Sequence, residues 1–328
     1  MAIKHISILV PFDAVPASIV DPGYMFSAVN QFLSEAGEEP AFEVKLVGLS
    51  RTVLLNQGSF SVHPDLLPEE VKQTDLIIVP AISGDINQAL KKNEAFLPWI
   101  IEHHKKGAEV ASLCIGAFLL ASTGLLNNKK CSTHWIYAGQ FREMFPDVVL
   151  TDDKIITEDN GLYSSGGASS YWNLLLYLVE KFTSRDMAIR ASKYFAIEID
   201  RTSQSPFVIF NGQKKHTDEP IKLAQTYIEN NVSEKISVED LATKYAIGRR
   251  HFERRFKKAT NNTPIEYIQR VKIEAAKKKL ETGIMNVNEV MYEVGYSDLK
   301  AFRTIFKRIT GLSPVEYKNR YSRRAELV

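Results

Sequence analysis

Two sets of residues in this sequence have chemistry to offer. The first is a thiol and an imidazole: Cys114, with His134 twenty residues further on. A cysteine beside a histidine can act as nucleophile and base, provided that the thiol gives up its proton. Cys114 follows a strand pattern over 109–113, and Ile115, Gly116 and a helical pattern over 117–124 come after it. A side chain in such a strand-to-helix turn stands at the carboxyl edge of a sheet, where α/β folds hold their ligands and a helix N-terminus favours a thiolate. The blander reading is a thiol that packs at the turn as a small apolar group.

The second set is basic. Residues 221–328 hold 22 Lys and Arg against 13 Asp and Glu; the rest of the chain holds 19 against 26, although the total nets only +2. A basic segment joined to an acidic one meets a polyanion with one end only. The same segment repeats itself. Shifted by 50 residues, Phe252, Phe256 and Lys257 fall on Phe302, Phe306 and Lys307. Thr260, Pro264, Glu266, Tyr267 and Arg270 fall on Thr310, Pro314, Glu316, Tyr317 and Arg320. Upstream the offset is 49, so that Val238 falls on Val287 and Ala246 on Gly295; the second copy has one extra residue at its turn.

Each copy reads as two helices around a tight turn. Ser237 is an N-cap with Asp240 three residues on, and Val238, Leu241 and Ala242 form an apolar face. Ala246-Ile247-Gly248 turns the chain into a helix over 249–259, where Phe252 and Phe256 point inward and Arg249, Arg250, Glu253, Arg254 and Lys257 remain outside. In copy two Gly295-Tyr296-Ser297 precedes a helix over 298–310, with Phe302 and Phe306 inward and Leu299, Lys300, Arg303, Thr304 and Lys307 outside. This is the helix-turn-helix pattern, whose second helix enters the major groove of double-stranded DNA. Arg pairs with guanine in a fork, while Lys and Thr serve bases or phosphates. A long helix over 264–281 separates the readers, and docking on one duplex face requires about 34 Å between them. The two faces differ, so the site read by one chain is asymmetric. Lys277-Lys278-Lys279 reads as a solvated face.

The rest of the chain must position these groups. Runs at 6–10, 42–49, 76–79 and 109–113 read as strands, several apolar enough to be buried on both faces. Stretches at 22–36, 87–106, 135–145, 169–182 and 185–196 read as helices. The alternation predicts an α/β domain with a parallel sheet over 1–198, and 199–220 reads as a linker before an all-α domain over 221–328. Two cysteines make no disulfide framework, and no apolar run is long enough to span a bilayer, so the expected setting is cytoplasmic, away from any membrane. His63, His103 and His104 lack ligand spacing and read as surface residues, and neither a metal nor a cofactor is expected.

Residues 221–321 resemble the AraC/XylS family DNA-binding domain, above all in GYSDLKAFRTIFKRITGLSP (295–314). The resemblance implies two helix-turn-helix units on adjacent major grooves. Arg255 departs from it, replacing an apolar residue, which would loosen packing or add a phosphate contact. Residues 3–182 resemble the DJ-1/PfpI branch of the flavodoxin-like, class I glutamine-amidotransferase-like fold, through SLCIGAFLLASTGLL (112–126), CSTHW (131–135) and SSGGASSYWNLLLYLVE (164–180). The layout is similar to the GlxA-type transcriptional regulators. It implies a homodimer that works with RNA polymerase and responds to a small-molecule effector such as an amino acid or amine, bound near Cys114, Ile115, His134, Ser18 and Asp21. The enzymatic branch carries an acid near the thiol. Here Ser18 falls at that position, with Asp13 and Asp21 nearby, Ile115 follows the cysteine, and Asn173 replaces an Asp. These departures leave Cys114 and His134 vestigial and favour sensing without catalysis. The competing reading is a Cys-dependent amidase, glyoxalase or deglycase with an accessory DNA-binding tail; a third is an architectural DNA protein.

Overall fold

The computed structural model describes residues 3–199 and 201–322. The chain forms two units, Met1–Gln204 and Ser205–Val328.

In the first unit the strands are β1 (Lys4–Val10), β2 (Phe42–Gly48), a hairpin of β3 (Val53–Leu55) and β4 (Phe60–Val62), β5 (Leu76–Val79), β6 (Glu109–Ser112), the short pair β7 (Lys130–Cys131) and β8 (Val149–Leu150), β9 (Ile156–Asp159) and β10 (Leu162–Ser165). Six of them form one sheet in the order β2-β1-β5-β6-β10-β9. All neighbours are parallel except β9, which closes the edge antiparallel to β10. The side-chain period of two divides each central strand between two cores. Ile6, Ile8 and Val10 join Leu76 and Ile78 on one face, and Leu9 joins Ile77 and Val79 on the other. Helices α1 (Ala17–Glu35), α6 (Tyr171–Phe182) and α7 (Arg185–Tyr194) cover the first face. Helices α2 (Ile86–Lys92), α3 (Phe96–Lys105), α4 (Ala117–Ser122) and α5 (Ala138–Met144) lie between these in the chain, and α2, α3, α4 and α5 cover the second face.

Three details differ from the sequence expectation. Helix α1 starts five residues before Pro22, because Ile19, Pro22, Met25 and Phe26 bury one face on the sheet and outweigh the lost backbone hydrogen bond. The stretch 87–106 is two helices, broken where Asn93 turns inward: its amide holds Phe12 N (2.8 Å) and Phe12 O (2.9 Å) in the loop after β1. His103 is buried against Trp99, with ring centroids 4.5 Å apart, so it is a core residue and not a surface one.

In the second unit α8 (Glu219–Asn230), α9 (Val238–Lys244), α10 (Arg249–Thr260), α11 (Pro264–Glu281), α12 (Val287–Glu293), α13 (Leu299–Thr310) and α14 (Pro314–Tyr321) build two cores. Val271 ends one core and Ile273 begins the other, so α11 serves both. The segment 199–220 is not a free linker. Residues 201–204 pack on the first unit, where Gln204 is buried; from Ser205 it packs on the second, where Phe210 N reaches Glu274 (3.1 Å).

Candidate nucleic-acid interface and effector site

The repeat seen in the sequence holds at the level of single hydrogen bonds. Ser237 caps α9, accepting from Asp240 N at 3.1 Å, and Asn286 caps α12, accepting from Glu289 N at 3.0 Å. The turns that follow both need left-handed backbone, at Ala246 (φ 53°) and Gly295 (φ 73°). Phe252 and Phe256 stand 5.6 Å apart and Phe302 and Phe306 stand 5.7 Å apart, all fully buried. Each pair is closed by a tyrosine, Tyr267 or Tyr317, whose hydroxyl donates to Glu229 (2.7 Å) or Glu281 (2.6 Å). Helices α10 and α13 therefore have one face fixed and the other free.

On α10 the free face presents Arg250, Arg254 and Lys257 to solvent. Arg249 is held between Glu239 (3.6 Å) and Glu253 (3.2 Å), so Glu253 orients it. On α13 Lys300, Arg303, Thr304 and Lys307 are exposed, with the Thr304 hydroxyl donating back to Lys300 O at 2.8 Å. Leu299 differs from expectation: it is half-buried against the second core, since the first residue of the helix still faces the turn.

The other site lies at the carboxyl edge of the sheet. Cys114 adopts a left-handed backbone (φ 54°) between β6 and α4, the sharp turn that its position implied. Gly116 makes the turn possible, because a Cβ there would run into the carbonyls of Val79 and Pro80. The thiol is nonetheless buried, and burial pushes it up to about 12; the Ile115 amide pulls the other way without offsetting it. Neighbouring groups are already engaged: Cys114 N donates to Ser165 Oγ (3.0 Å), and Thr133 Oγ1 donates to Cys114 O (3.0 Å). His134 is half-buried, and burial lowers its ring below the ordinary histidine value. Its Nδ1 accepts from Ile136 N at 3.2 Å, which leaves Nε2 to carry the proton of the neutral ring. Among the described residues the thiol and His134 make no hydrogen bond to each other.

Ser18 is fully buried with its hydroxyl committed on both sides, donating to Val15 O (2.7 Å) and accepting from Ala81 N (3.0 Å). It ties two loops together and has no donor left for a ligand. Asp13 pairs with Lys92 (2.6 Å), and Asp21 accepts from Tyr171 OH (2.6 Å). Among the described residues no acid takes a hydrogen bond from the thiol.

Comparison with known proteins agrees with the two-unit fold. The DJ-1/PfpI family matches residues 26–181, and a helix-turn-helix domain matches 241–320. The HTH-type transcriptional regulator GbdR of Pseudomonas aeruginosa is 24% identical over 266 residues, 80% of this chain and 71% of its own. The HTH-type transcriptional regulator GlxA of Rhizobium meliloti is 22% identical over 215 residues, 65% of this chain and 66% of its own. The crystal structure of an AraC family transcriptional regulator from Pseudomonas putida shares the fold, with a TM-score of 0.51 and 18% identity over 58% of this chain and 99% of that one. The chain is an HTH-type transcriptional regulator with a DJ-1/PfpI domain. It binds DNA through its helix-turn-helix units, and its α/β domain is of the sensing type.

In this regulator three functional neighbours escaped the sequence. Arg255, expected to loosen packing or meet a phosphate, instead grips Asp218 with both arms of its guanidinium (2.9 and 2.7 Å). Lys277, expected in a solvated face, is buried: it donates to Val208 O (2.6 Å) and Glu274 (2.8 Å). Gln204 donates to Thr133 O (3.0 Å) and accepts from Gly167 N (2.8 Å), beside His134. A charged or amide residue in a polar stretch gives no periodic signal of burial, so none of the three was legible. No helix among the described residues is long and apolar enough to cross a membrane.

Proposed function

We propose that this regulator is a cytoplasmic homodimer that senses a small organic metabolite without catalysis and transmits the change to DNA and RNA polymerase. The observation that carries the non-catalytic reading is the buried Cys114 thiol, pushed up to about 12, with no acid among the described residues bonded to it and the His134 ring shifted towards its neutral form by burial. Such a thiol stays protonated at neutral pH and is a poor nucleophile. His134 Nε2 and Asp21 supply a donor and an acceptor for an amino acid or amine, with Cys114 and Ile115 as the apolar wall. Gln204 supports the coupling, since it sits against the His134 loop and is the last residue before the DNA-binding unit. Base and phosphate contacts fall to Arg249, Arg250, Arg254 and Lys257, with Glu253 orienting Arg249, and to Lys300, Arg303, Thr304 and Lys307.

A thermal-shift screen of amino acids and amines against the full chain tests the sensing. A ligand that raises the melting temperature of the natural chain, and still raises it in C114A, supports it, because binding to the folded state then needs no thiol chemistry. Consumption of the ligand that stops in C114A would falsify it. That outcome favours the second reading, an amidase, glyoxalase or deglycase, whose support is the left-handed backbone at Cys114.

A further inference from the structure

The two readers are joined by little. A cleft of about 430 Å³ opens between them, walled by Ile236, Val238 and Arg249 on one side, Ile265 and Ile268 on α11, and Tyr296 on the other. Their cores are separate, sharing α11 and the half-buried Val232. At one point the turns of the two readers do meet. The turn before α13 comes so close to the segment before α9 that a Cβ on Gly295 would strike the Ser233 carbonyl. Both segments present carbonyl oxygens there, and like dipoles in close approach repel.

Lys272 resolves that conflict. It lies on α11 and is 6% exposed. Its ammonium donates to Glu234 O (2.9 Å) from the first reader and to Val294 O (3.0 Å) and Gly295 O (3.5 Å) from the second. Val294 closes α12, so the charge also meets the negative end of that helix. A lysine has three donors, and here they face acceptors from both readers. Among the described residues no carboxylate pairs with it, and an unpaired buried charge is costly.

We propose that Lys272 is a positioning residue that fixes the spacing and angle of the two recognition helices, so that the chain accepts only sites with one separation between half-sites. Each reader keeps its own core without Lys272, and each keeps its own base contacts. What is lost is the rigid relation between them, and with it the effective concentration of the second reader once the first has docked.

The test selects sites from a random-sequence duplex library with the full-length natural chain, K272M and K272Q, followed by sequencing of the bound DNA. All three are checked for a cooperative melt. The natural chain is expected to enrich two motifs at one spacing, with about a tenfold or larger penalty for one inserted base pair; in the variants both motifs persist and the penalty falls to about threefold or less. K272Q keeps a donor and is expected to fall between. An unchanged spacing distribution in folded variants overturns the proposal. Loss of one motif overturns it too, because Lys272 would then support a single reader. If neither variant folds, the proposal also fails, since Lys272 would belong to a shared core.

Discussion

At the turn of each reader the same left-handed backbone is carried by different residues, Ala246 at φ 53° and Gly295 at φ 73°. An L side chain there costs about 1–2 kcal/mol, and a glycine gives back part of that as chain entropy. Ala246 is exposed, so A246G is expected to stabilise the chain by about 0.5–1 kcal/mol in urea denaturation. G295A is expected to do the opposite, by about 2 kcal/mol or more, because its Cβ meets the Ser233 carbonyl as well as the unfavourable φ. Equal effects from the two would show that the turns are not equivalent in the way the repeat implies. The thiols carry a second prediction at this scale. Cys114 and Cys131 are both raised by burial from the ordinary 9.0 to about 12. A proton held more tightly in the folded chain stabilises it fully below pH 9.0, and that contribution is lost as pH rises towards about 12. Stability should therefore show no thiol-dependent slope between about pH 6 and 8 and should fall above pH 9.0, less steeply in C114A and in C131A. A thiol-dependent slope near neutrality would mean that one of them ionises there.

Among the elements, α10 is anchored in an unusual way. Asp218 caps α8, accepting from Ile221 N at 3.3 Å, and the same carboxylate receives the fork of Arg255 from α10. The Arg255 guanidinium holds the Asp218 carboxyl below the usual carboxylate range. A depressed carboxyl stabilises the fold above its unfolded pKa, and the contribution disappears as pH falls through the folded one. R255L is thus expected to cost about 1 kcal/mol near neutral pH and to lose that difference in acid, the pair being partly solvated. D218A also loses the cap and should cost more, about 1–2 kcal/mol, with D218N in between. If D218A and R255L prove equal, the cap contributes nothing. The elements also show where sequence pattern runs out. The helix-turn-helix units were legible because Phe pairs, caps and Pro at N1 recur at 50 residues and nothing tertiary overrides them. Strand β10 was not: Leu162-Tyr163-Ser164-Ser165 is too polar to look central, yet it is fully buried, with Ser164 and Ser165 hydroxyls taken by Ser132 N (2.7 Å) and Cys114 N (3.0 Å). At the thiol, the turn could be read from the sequence. The depth of burial could not, since Cys114 N meets Ser165 of β10 and Cys114 O meets Thr133, both distant in the chain.

Over the whole molecule, charge is divided so that the basic excess lies with the readers and the acidic excess with the sensing unit. Binding to DNA should then be salt-dependent in proportion to the phosphates met by the second unit alone. Each phosphate contact contributes about 0.9 to the slope of log affinity against log salt. Comparing the full chain with the triple variants R250A/R254A/K257A and K300A/R303A/K307A separates the two kinds of contact. A side chain on a phosphate lowers the slope by about 0.9 when removed and weakens all sequences alike. One on a base edge leaves the slope alone and lowers discrimination by about 1–3 kcal/mol. Arginine suits guanine in a fork, and the first face has two exposed arginines beside the buttressed Arg249, whereas the second mixes lysine, arginine and threonine. The first triple is therefore expected to affect discrimination more, and the second to affect the slope more. The measurement is titration of a selected site and a scrambled duplex at several salt concentrations. Equal changes from both triples would contradict two unlike readers, and would make a palindromic site the better fit for one chain.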